Sequence, residues 1–172
     1  MTVLKLDDIL NSSSYIPLEP QVKELIEFSK NDAFLRSIVN SFKNNDDLIA
    51  KGVANMDHLK SEFNSVHQEA LVAGYGPSDS TGIFGAMYNK ILHKVLIQES
   101  GFIEGKSINS TLARAKYYLN SNNIQSALLE VESIDGPASD VLSAWKDSAK
   151  NRLFALQLST TLKSHIFLNN QQ

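Results

Sequence analysis

The segment from Gly101 to Ser107 has the residue types of a phosphate-binding loop, with two glycines, a lysine and a hydroxyl residue. A Walker A loop has four residues between its first glycine and the Gly-Lys-Ser/Thr triplet, whereas this segment has three. It also follows a stretch of helical periodicity instead of a strand, so a cradle of backbone N–H groups would not form. We therefore interpret it as a glycine-bounded loop in which Ser107 or Asn109 begins the next helix.

The four histidines do not have the spacing of a metal site. His58, His67, His93 and His165 are scattered, with no pair at i and i+4 on one predicted helix. We expect all four to lie on helices, at the surface or half-buried. The serines of residues 78–80 lack the Gly-x-Ser-x-Gly elbow of a serine hydrolase. The sequence thus offers no catalytic residue, no metal ligands, no cofactor motif and no small-molecule site, and we predict that the protein is not an enzyme.

Composition argues against several other classes of protein. Hydrophobic residues make up 42% and charged residues 20%, the balance of an ordinary globular domain. Cysteine is absent, so a disulfide framework or zinc knuckle is excluded. The net charge is -3, and the second half of the chain is too weakly basic to indicate nucleic-acid binding. No signal peptide and no run of about 20 apolar residues is visible, so we expect a soluble chain.

The elements that would position any functional residue are helices. Only 4 prolines and 8 glycines interrupt the chain, and apolar residues recur at three-to-four spacing, which predicts an all-α fold. We expect a helical bundle that ends in a helical hairpin and a long helix, preceded by an amphipathic helix. The predicted regions are an N-terminal helical region (1–76), a linker with the amphipathic helix (77–106) and a C-terminal bundle (107–172).

Several helix ends can be placed from the sequence. Asn31 or Asp32 is expected to cap one helix, and Gly74 to end the helix that follows it in the chain. Pro137 suits the first turn of a single long last helix that continues towards Phe167. These signals leave one organisational boundary, the Gly/Pro/Ser-rich stretch that begins at Gly74.

The most apolar stretch, Ile83–Ile97, is the candidate interaction surface. Its apolar side chains cover an arc of roughly 200° on a helical projection, which is wide for a surface helix. It could be a helix buried within the domain, or a helix on a bilayer with its lysines near anionic head groups. A homodimer interface would use the same surface. The predicted membrane- or dimer-contact residues are Ile83, Phe84, Met87, Lys90, Ile91, Lys94 and Val95.

Four segments near the C-terminus, 112–119, 123–131, 136–138 and 144–153, together resemble the mitofilin family. They read LARAKYYL, NIQSALLEV, GPA and AWKDSAKNRL. This order is similar to the family pattern of an Ala-Arg helix, an Ala-Leu helix, a glycine break and a helix that opens on tryptophan. The residues that carry this structural signature are Arg114, Leu119, Ala127, Leu128, Gly136, Trp145 and Ala149.

The resemblance implies a non-catalytic scaffold that organises membranes. Family members have an N-terminal membrane anchor and a coiled coil, then a C-terminal domain in the mitochondrial intermembrane space or the bacterial periplasm. They self-associate, contact the inner membrane and shape invaginations or cristae junctions together with other membrane-organising proteins. We therefore expect a C-terminal fragment that forms a homo-oligomer, in its simplest form a dimer, and binds anionic phospholipid. Similarity of the upstream residues to bacterial members favours the periplasm.

The alternative is a tetratricopeptide-like helical adaptor that binds a protein or peptide partner. Such repeats share small and apolar helix residues with the signature. They would recur as helical hairpins with a period of about 34 residues. Only one convincing hairpin is apparent in the sequence, so this alternative ranks second.

Overall fold

The computed structural model describes residues 8–10, 17–43, 49, 52–76 and 100–169. Helices are the only regular secondary structure within these ranges, which confirms the predicted all-α class. Seven helices have defined limits in this part of the chain: α1 Glu19–Phe28, α2 Ala33–Lys43, α3 Met56–Tyr75, α4 Ile108–Asn120, α5 Ile124–Glu132, α6 Pro137–Val141 and α7 Ser143–Asn169.

The candidate interaction surface Ile83–Ile97 lies outside the described residues. The same is true of most of the predicted linker region, 77–106. The predicted division of the chain at residues 76 and 106 therefore stays a prediction. None of the helices in the described ranges combines the length and the apolar character needed to cross a bilayer.

Short polar side chains begin several of the helices, as the sequence predicts. Asp32 caps α2, because its Oδ1 accepts hydrogen bonds from the backbone N–H groups of Phe34 (2.9 Å) and Leu35 (3.0 Å). Ser107 caps α4 by accepting from the N–H of Ser110 at 3.1 Å. These contacts satisfy N–H groups that have no partner within the helix.

Two predicted helix ends are wrong. Gly74 lies inside α3, which ends one residue later at Tyr75. The start of α4 approaches this glycine closely, since an added Cβ would lie 2.2 Å from Ile108 Cδ1. The helix that begins at Pro137 is short and ends at Val141, before the long α7 begins. At this break the Ser143 hydroxyl donates to the Asp140 carbonyl at 2.8 Å, a side-chain bond that competes with helical pairing.

The chain forms two compact units, one of residues 1–55 with 150–172 and one of residues 56–149. In the first, which we call the terminal unit, α1 contacts α2, and an apolar cluster also includes the later part of α7. A backbone hydrogen bond also joins two segments of this unit, because the Leu18 N–H donates to the Ile49 carbonyl at 2.9 Å. The buried members of the cluster are Leu10, Leu18, Val22, Leu25, Leu35, Ile38, Val39, Val53, Ala155 and Leu162.

The second unit, which we call the central unit, is built on the α4–α5 hairpin. These two helices contact each other most extensively, and α3 packs against both α4 and α6. The turn between α4 and α5 passes through Asn122, whose φ of 58° is in the left-handed region that asparagine tolerates. Asn123 then caps α5 by accepting from the Ser126 N–H at 3.0 Å. The signature segments of the sequence all begin in this unit.

Candidate interaction surface

Arg114 joins the two helices of the hairpin through a bidentate ion pair. Its Nε–H donates to Glu130 Oε1 at 3.0 Å, and its Nη2 donates to Glu130 Oε2 at 2.8 Å. The two side chains are 14% and 21% exposed, so water screens the pair only in part. The hydrogen bond and charge of the Glu130 carboxylate raise the pKa of the Arg114 guanidinium above its ordinary value.

The same guanidinium also holds the loop in front of α4. Its Nη1 donates to the carbonyl oxygens of Ile103 (2.9 Å) and Gly105 (2.8 Å), and Nη2 donates to Thr111 Oγ1 at 3.2 Å. A guanidinium has five N–H donors. Since five acceptors surround it, Arg114 has no donor left for a ligand, and its role is to fix the loop to the hairpin.

Gly105 is required by this arrangement. Its φ of +128° is a conformation that residues with a side chain rarely adopt. An added Cβ would also lie 3.3 Å from Ser110 Oγ, the hydroxyl that bonds Ser107 at the start of α4. The glycine therefore lets the loop carbonyls turn towards Arg114. The sequence interpretation of a glycine-bounded loop with Ser107 as the helix cap is confirmed here.

Three aromatic rings meet on the outer side of α4 and form what we call the aromatic cluster, Phe102, Tyr117 and Tyr118. Their ring centroids lie 5.7 Å (Phe102–Tyr117), 6.1 Å (Phe102–Tyr118) and 5.7 Å (Tyr117–Tyr118) apart, all in edge-to-face geometry. Tyr117 and Tyr118 follow Arg114 by one helical turn and so lie on its face of α4. By holding the Ile103 carbonyl, Arg114 positions the neighbouring Phe102 against the two tyrosines.

Trp145 lies at the centre of the core of the central unit. Its side chain is 2% exposed, and its indole N–H donates to the Leu59 carbonyl at 2.9 Å. The ring contacts Phe63 edge-on at 5.1 Å, and Phe63 stacks on His67 at 5.6 Å. His67 is fully buried, so the expectation that all four histidines are at the surface or half-buried is wrong at this position. The reason is that α3 is enclosed by its neighbours along this face.

The structure brings the signature residues together as parts of the central unit. Leu119, Ala127, Leu128 and Ala149 are buried, and Gly136, at a φ of 68°, directly precedes α6. Arg114 forms the ion pair with Glu130, and Trp145 donates its indole N–H to the Leu59 carbonyl. The predicted contact residues Ile83, Phe84, Met87, Lys90, Ile91, Lys94 and Val95 lie outside the described part of the chain.

A polar cleft of about 390 Å³ adjoins Arg114. Its lining residues include both charge signs, Lys106 and Arg114 as cations and Asp135 as an anion. Because the donors of Arg114 are occupied, Lys106 is the cation that this cleft can offer to a ligand. No group of three metal-binding side chains occurs among the residues that the structure describes.

The sequence alone does not identify Phe102 and Glu130 as residues of this surface. Phe102 lies in the predicted glycine-bounded loop, and Glu130 lies in the segment NIQSALLEV of the family signature. A signal for the ion pair was present, because Arg114 and Glu130 lie on adjacent helices of a predicted hairpin, 16 residues apart. In the terminal unit, which is not part of this surface, no comparable signal exists for Arg152, because it bonds to backbone carbonyls far away in the sequence.

A family model described as Mitofilin, mitochondrial inner membrane protein, matches residues 1–166. The match covers nearly the whole chain, including the signature helices. The chain belongs to the mitofilin family. This confirms the resemblance carried by the hairpin and Trp145, and it does not favour the tetratricopeptide alternative.

Curated relatives agree with membership of the mitofilin family. The chain is 24% identical over 152 residues to the MICOS complex subunit MIC60 of Yarrowia lipolytica, covering 88% of this chain and 26% of that protein. It is 27% identical over 136 residues to the protein of that name from Paracoccidioides brasiliensis, covering 77% and 19% of the two chains. It therefore spans about a quarter or less of the relatives' length. No solved structure matches the chain.

Proposed function

We propose that this chain is a non-catalytic scaffold domain of a membrane-organising protein. In this proposal it self-associates and contacts the surface of the inner membrane, and it helps to shape invaginations or cristae junctions. The observation that carries the proposal is the mitofilin family match over residues 1–166. The helical secondary structure of the described residues supports it, because packed helices can present a binding surface.

The contact with lipid or with a second copy is assigned to the candidate interaction surface, Ile83–Ile97. An apolar arc of this width has to be covered by something, whether protein or acyl chains. Lys90 and Lys94 would add on the order of 2 kcal/mol of attraction to anionic head groups. The apolar side chains would therefore provide most of the affinity, with Ile91 near the middle of the stretch.

Membrane-organising proteins are the proposed protein partners. The relatives from Yarrowia lipolytica and Paracoccidioides brasiliensis are named as subunits of the MICOS complex, which indicates association with other subunits in those proteins. By analogy, the domain would face the mitochondrial intermembrane space or the bacterial periplasm, next to the inner membrane. The proposed function involves neither nucleic acid nor a small-molecule substrate.

Co-sedimentation with vesicles tests the lipid contact. We expect the wild-type chain to sediment with vesicles of equal parts phosphatidylcholine and phosphatidylglycerol, and Ile91→Glu to lose most of this binding. Lys94→Glu should weaken it less. The matched control is Leu129→Glu, which adds the same charge at a side chain that is 61% exposed on α5. Negligible binding by wild type and variants alike would remove the lipid role.

Light scattering over a range of protein concentrations tests self-association. A dimer that dissociates on dilution is the expected result, and Ile91→Glu should shift the chain towards monomer if the same surface forms the dimer. A strict monomer at every concentration would contradict the self-association part of the proposal. It would leave the lipid contact to be decided by the vesicle experiment.

A further inference from the structure

The loop that leads into α4, residues 101–107, is bound to that helix at both ends, and we call it the entry loop. At its start the Phe102 ring packs edge-on against Tyr117 and Tyr118, with ring centroids 5.7 and 6.1 Å apart. At its end Ser107 caps the first turn of α4. Ser107 and Tyr117 are 10 residues apart, a rise of about 15 Å on a helix, so the entry loop runs along about three turns of α4.

Between these ends the entry loop is held by charged hydrogen bonds instead of apolar burial. Arg114 donates to the Ile103 carbonyl at 2.9 Å and to the Gly105 carbonyl at 2.8 Å. The guanidinium is itself fixed by its bidentate pair with Glu130, and hydrogen bonds from a charged donor are about twice as strong as neutral ones. Six of the seven loop residues are exposed, so these bonds restrict the path of the loop without enlarging the core.

The backbone at the start of the entry loop is also restricted. Gly101 has a φ of 92°, which residues with a side chain rarely adopt. A Cβ added to Gly101 would meet no atom of the described residues within 4 Å, so the conformation requires glycine here and lack of space does not. Exposed loops are usually more mobile than the helices that they connect. This loop is instead held through a ring, two carbonyls and a helix cap.

The entry loop follows the candidate interaction surface directly in the sequence. Phe102 comes five residues after Ile97, a distance of at most about 18 Å even when the chain is fully extended. A contact made by Ile83–Ile97 therefore acts close to the α4–α5 hairpin. How firmly it acts on the hairpin depends on whether the entry loop is fixed or free.

We propose that Arg114 and Phe102 are positioning residues for the candidate interaction surface. They fix the direction in which the chain passes from Ile83–Ile97 into the α4–α5 hairpin, so a contact made by that surface also orients the hairpin. The proposal rests on the proposed function, since orientation matters only if Ile83–Ile97 makes a contact. Without the bonds of Arg114, the same surface would be joined to the hairpin by a flexible linker.

Backbone ¹⁵N relaxation of the full chain in solution tests the hold on the entry loop. In wild type we expect order parameters of about 0.85 for the Ile103 and Glu104 amides, the value of a rigid backbone. Arg114→Lys keeps the positive charge but lacks the planar fork of donors, and it should lower both values below about 0.6. Lys116→Arg, the matched control, makes the reverse exchange on the same helix and should leave them unchanged. Unchanged values in Arg114→Lys would overturn the proposal.

Phe102→Ala tests the start of the entry loop without altering the ion pair. Because Phe102 is 56% exposed, the helical circular dichroism should not change, whereas the order parameter of the Gly101 amide should fall. A purely structural role of Arg114 makes a different prediction. Arg114→Lys would then lower the urea midpoint of unfolding with no change in the order parameters of the loop, and that result would refute a positioning role.

A fluorophore on the hairpin tests the link to the candidate interaction surface. The chain has no cysteine, so Gln125→Cys provides a single labelling site at an exposed position of α5. The label is followed on vesicles of equal parts phosphatidylcholine and phosphatidylglycerol that bind all of the protein. We expect an anisotropy decay without nanosecond rotation of the hairpin, and the appearance of that rotation when Arg114→Lys is added. Equal decays with and without Arg114→Lys would overturn the proposal.

The same measurements separate this proposal from the proposed function. If the wild-type chain neither binds vesicles nor self-associates, the proposed function fails and the positioning role fails with it, although the order parameters can still show a fixed loop. If the chain binds vesicles and Ile91→Glu abolishes the binding, the proposed function stands. Order parameters and anisotropy that Arg114→Lys leaves unchanged would then refute the positioning role alone.

Discussion

Arg114 in the central unit and Arg152 in the terminal unit are both enclosed, but their surroundings differ in charge. Arg114 has the Glu130 carboxylate on two of its donors, which raises its pKa. Arg152 is 5% exposed and donates to the carbonyl oxygens of Leu10 and Ala54, and burial lowers its pKa.

From this difference we expect that an enclosed arginine need not be a strong stabiliser. A carboxylate compensates the loss of water around the cation with a full opposite charge, whereas a carbonyl offers only a partial one. Arg114 should therefore stabilise the hairpin substantially. Arg152 should contribute less, although it joins three separate segments of the terminal unit through its two acceptors.

Substitutions in the core of each unit should lower the free energy of unfolding the most. Trp145→Ala should lower the free energy of unfolding by about 4 kcal/mol, because it removes a fully packed indole and leaves the Leu59 carbonyl without its donor. Leu162→Ala, at a fully buried position of the terminal unit, should cost about 3 kcal/mol. Urea unfolding followed by circular dichroism measures both. If Trp145→Ala lowers the free energy of unfolding less than Leu162→Ala does, the indole is not the main stabilising side chain of the central unit.

Loss of the ion pair between Arg114 and Glu130 should cause the next largest decrease in the free energy of unfolding. Arg114→Met should cost about 2 to 3 kcal/mol of unfolding free energy, because Glu130 and the loop carbonyls lose charged hydrogen-bond donors. Lys116→Met is the matched control on the same helix and should change stability by no more than about 0.5 kcal/mol. Thermal and urea unfolding of the two variants give the comparison. Equal losses of unfolding free energy in the two variants would mean that the bidentate ion pair does not stabilise the hairpin.

The buried arginine of the terminal unit should matter less. Arg152→Met leaves the carbonyls of Leu10 and Ala54 unpaired but also removes a desolvated cation, and the two effects offset each other in part. We expect a net loss of about 1 kcal/mol in urea unfolding. A loss as large as that of Arg114→Met would contradict the distinction between the two arginines and would indicate a full anionic partner for Arg152.

The smallest effect concerns the cap of α2 and depends on pH. Asp32 accepts hydrogen bonds from His165, at 2.7 Å, and from the N–H groups of Phe34 and Leu35. These bonds, that of His165 first, lower the pKa of the Asp32 carboxyl. Because the folded pKa is depressed, the stabilisation is present above the unfolded pKa of about 3.9 and is lost as pH falls through the lower folded value.

Asp32→Asn should therefore be less stable than wild type at neutral pH and should lose less stability on acidification below about pH 4. Urea unfolding at a series of pH values measures this. Asp147→Asn, at an exposed position of α7, is the control that changes the same charge elsewhere. An unchanged pH dependence in Asp32→Asn would show that the cap and its histidine contribute nothing to acid sensitivity.

The sequence predicted the features that depend on neighbouring residues. The all-α class, the caps at Asp32 and Ser107, and the α4–α5 hairpin follow from local spacing and from short polar side chains. The family signature correctly predicted membership of the mitofilin family, because its residues lie in one continuous part of the chain. The break between α6 and α7 was not predicted, because the apolar pattern continues across it and Pro137 suits the start of one long helix.

Features that join distant segments could not be predicted. The indole N–H of Trp145 finds its acceptor 86 residues away, and Arg152 reaches carbonyls 98 and 142 residues away. Backbone carbonyls are present at every residue, so the sequence gives no indication of which one an arginine will meet. The burial of His67 has the same origin, since it depends on which helices enclose α3.

The most direct test of the membrane-scaffold account is the partitioning of the wild-type chain between buffer and vesicles of two compositions. The account predicts clear binding to vesicles of equal parts phosphatidylcholine and phosphatidylglycerol. It predicts weaker binding to phosphatidylcholine alone, and a decline with added salt that reflects the lysines of the contact surface. Negligible partitioning into both kinds of vesicle at low salt would contradict it.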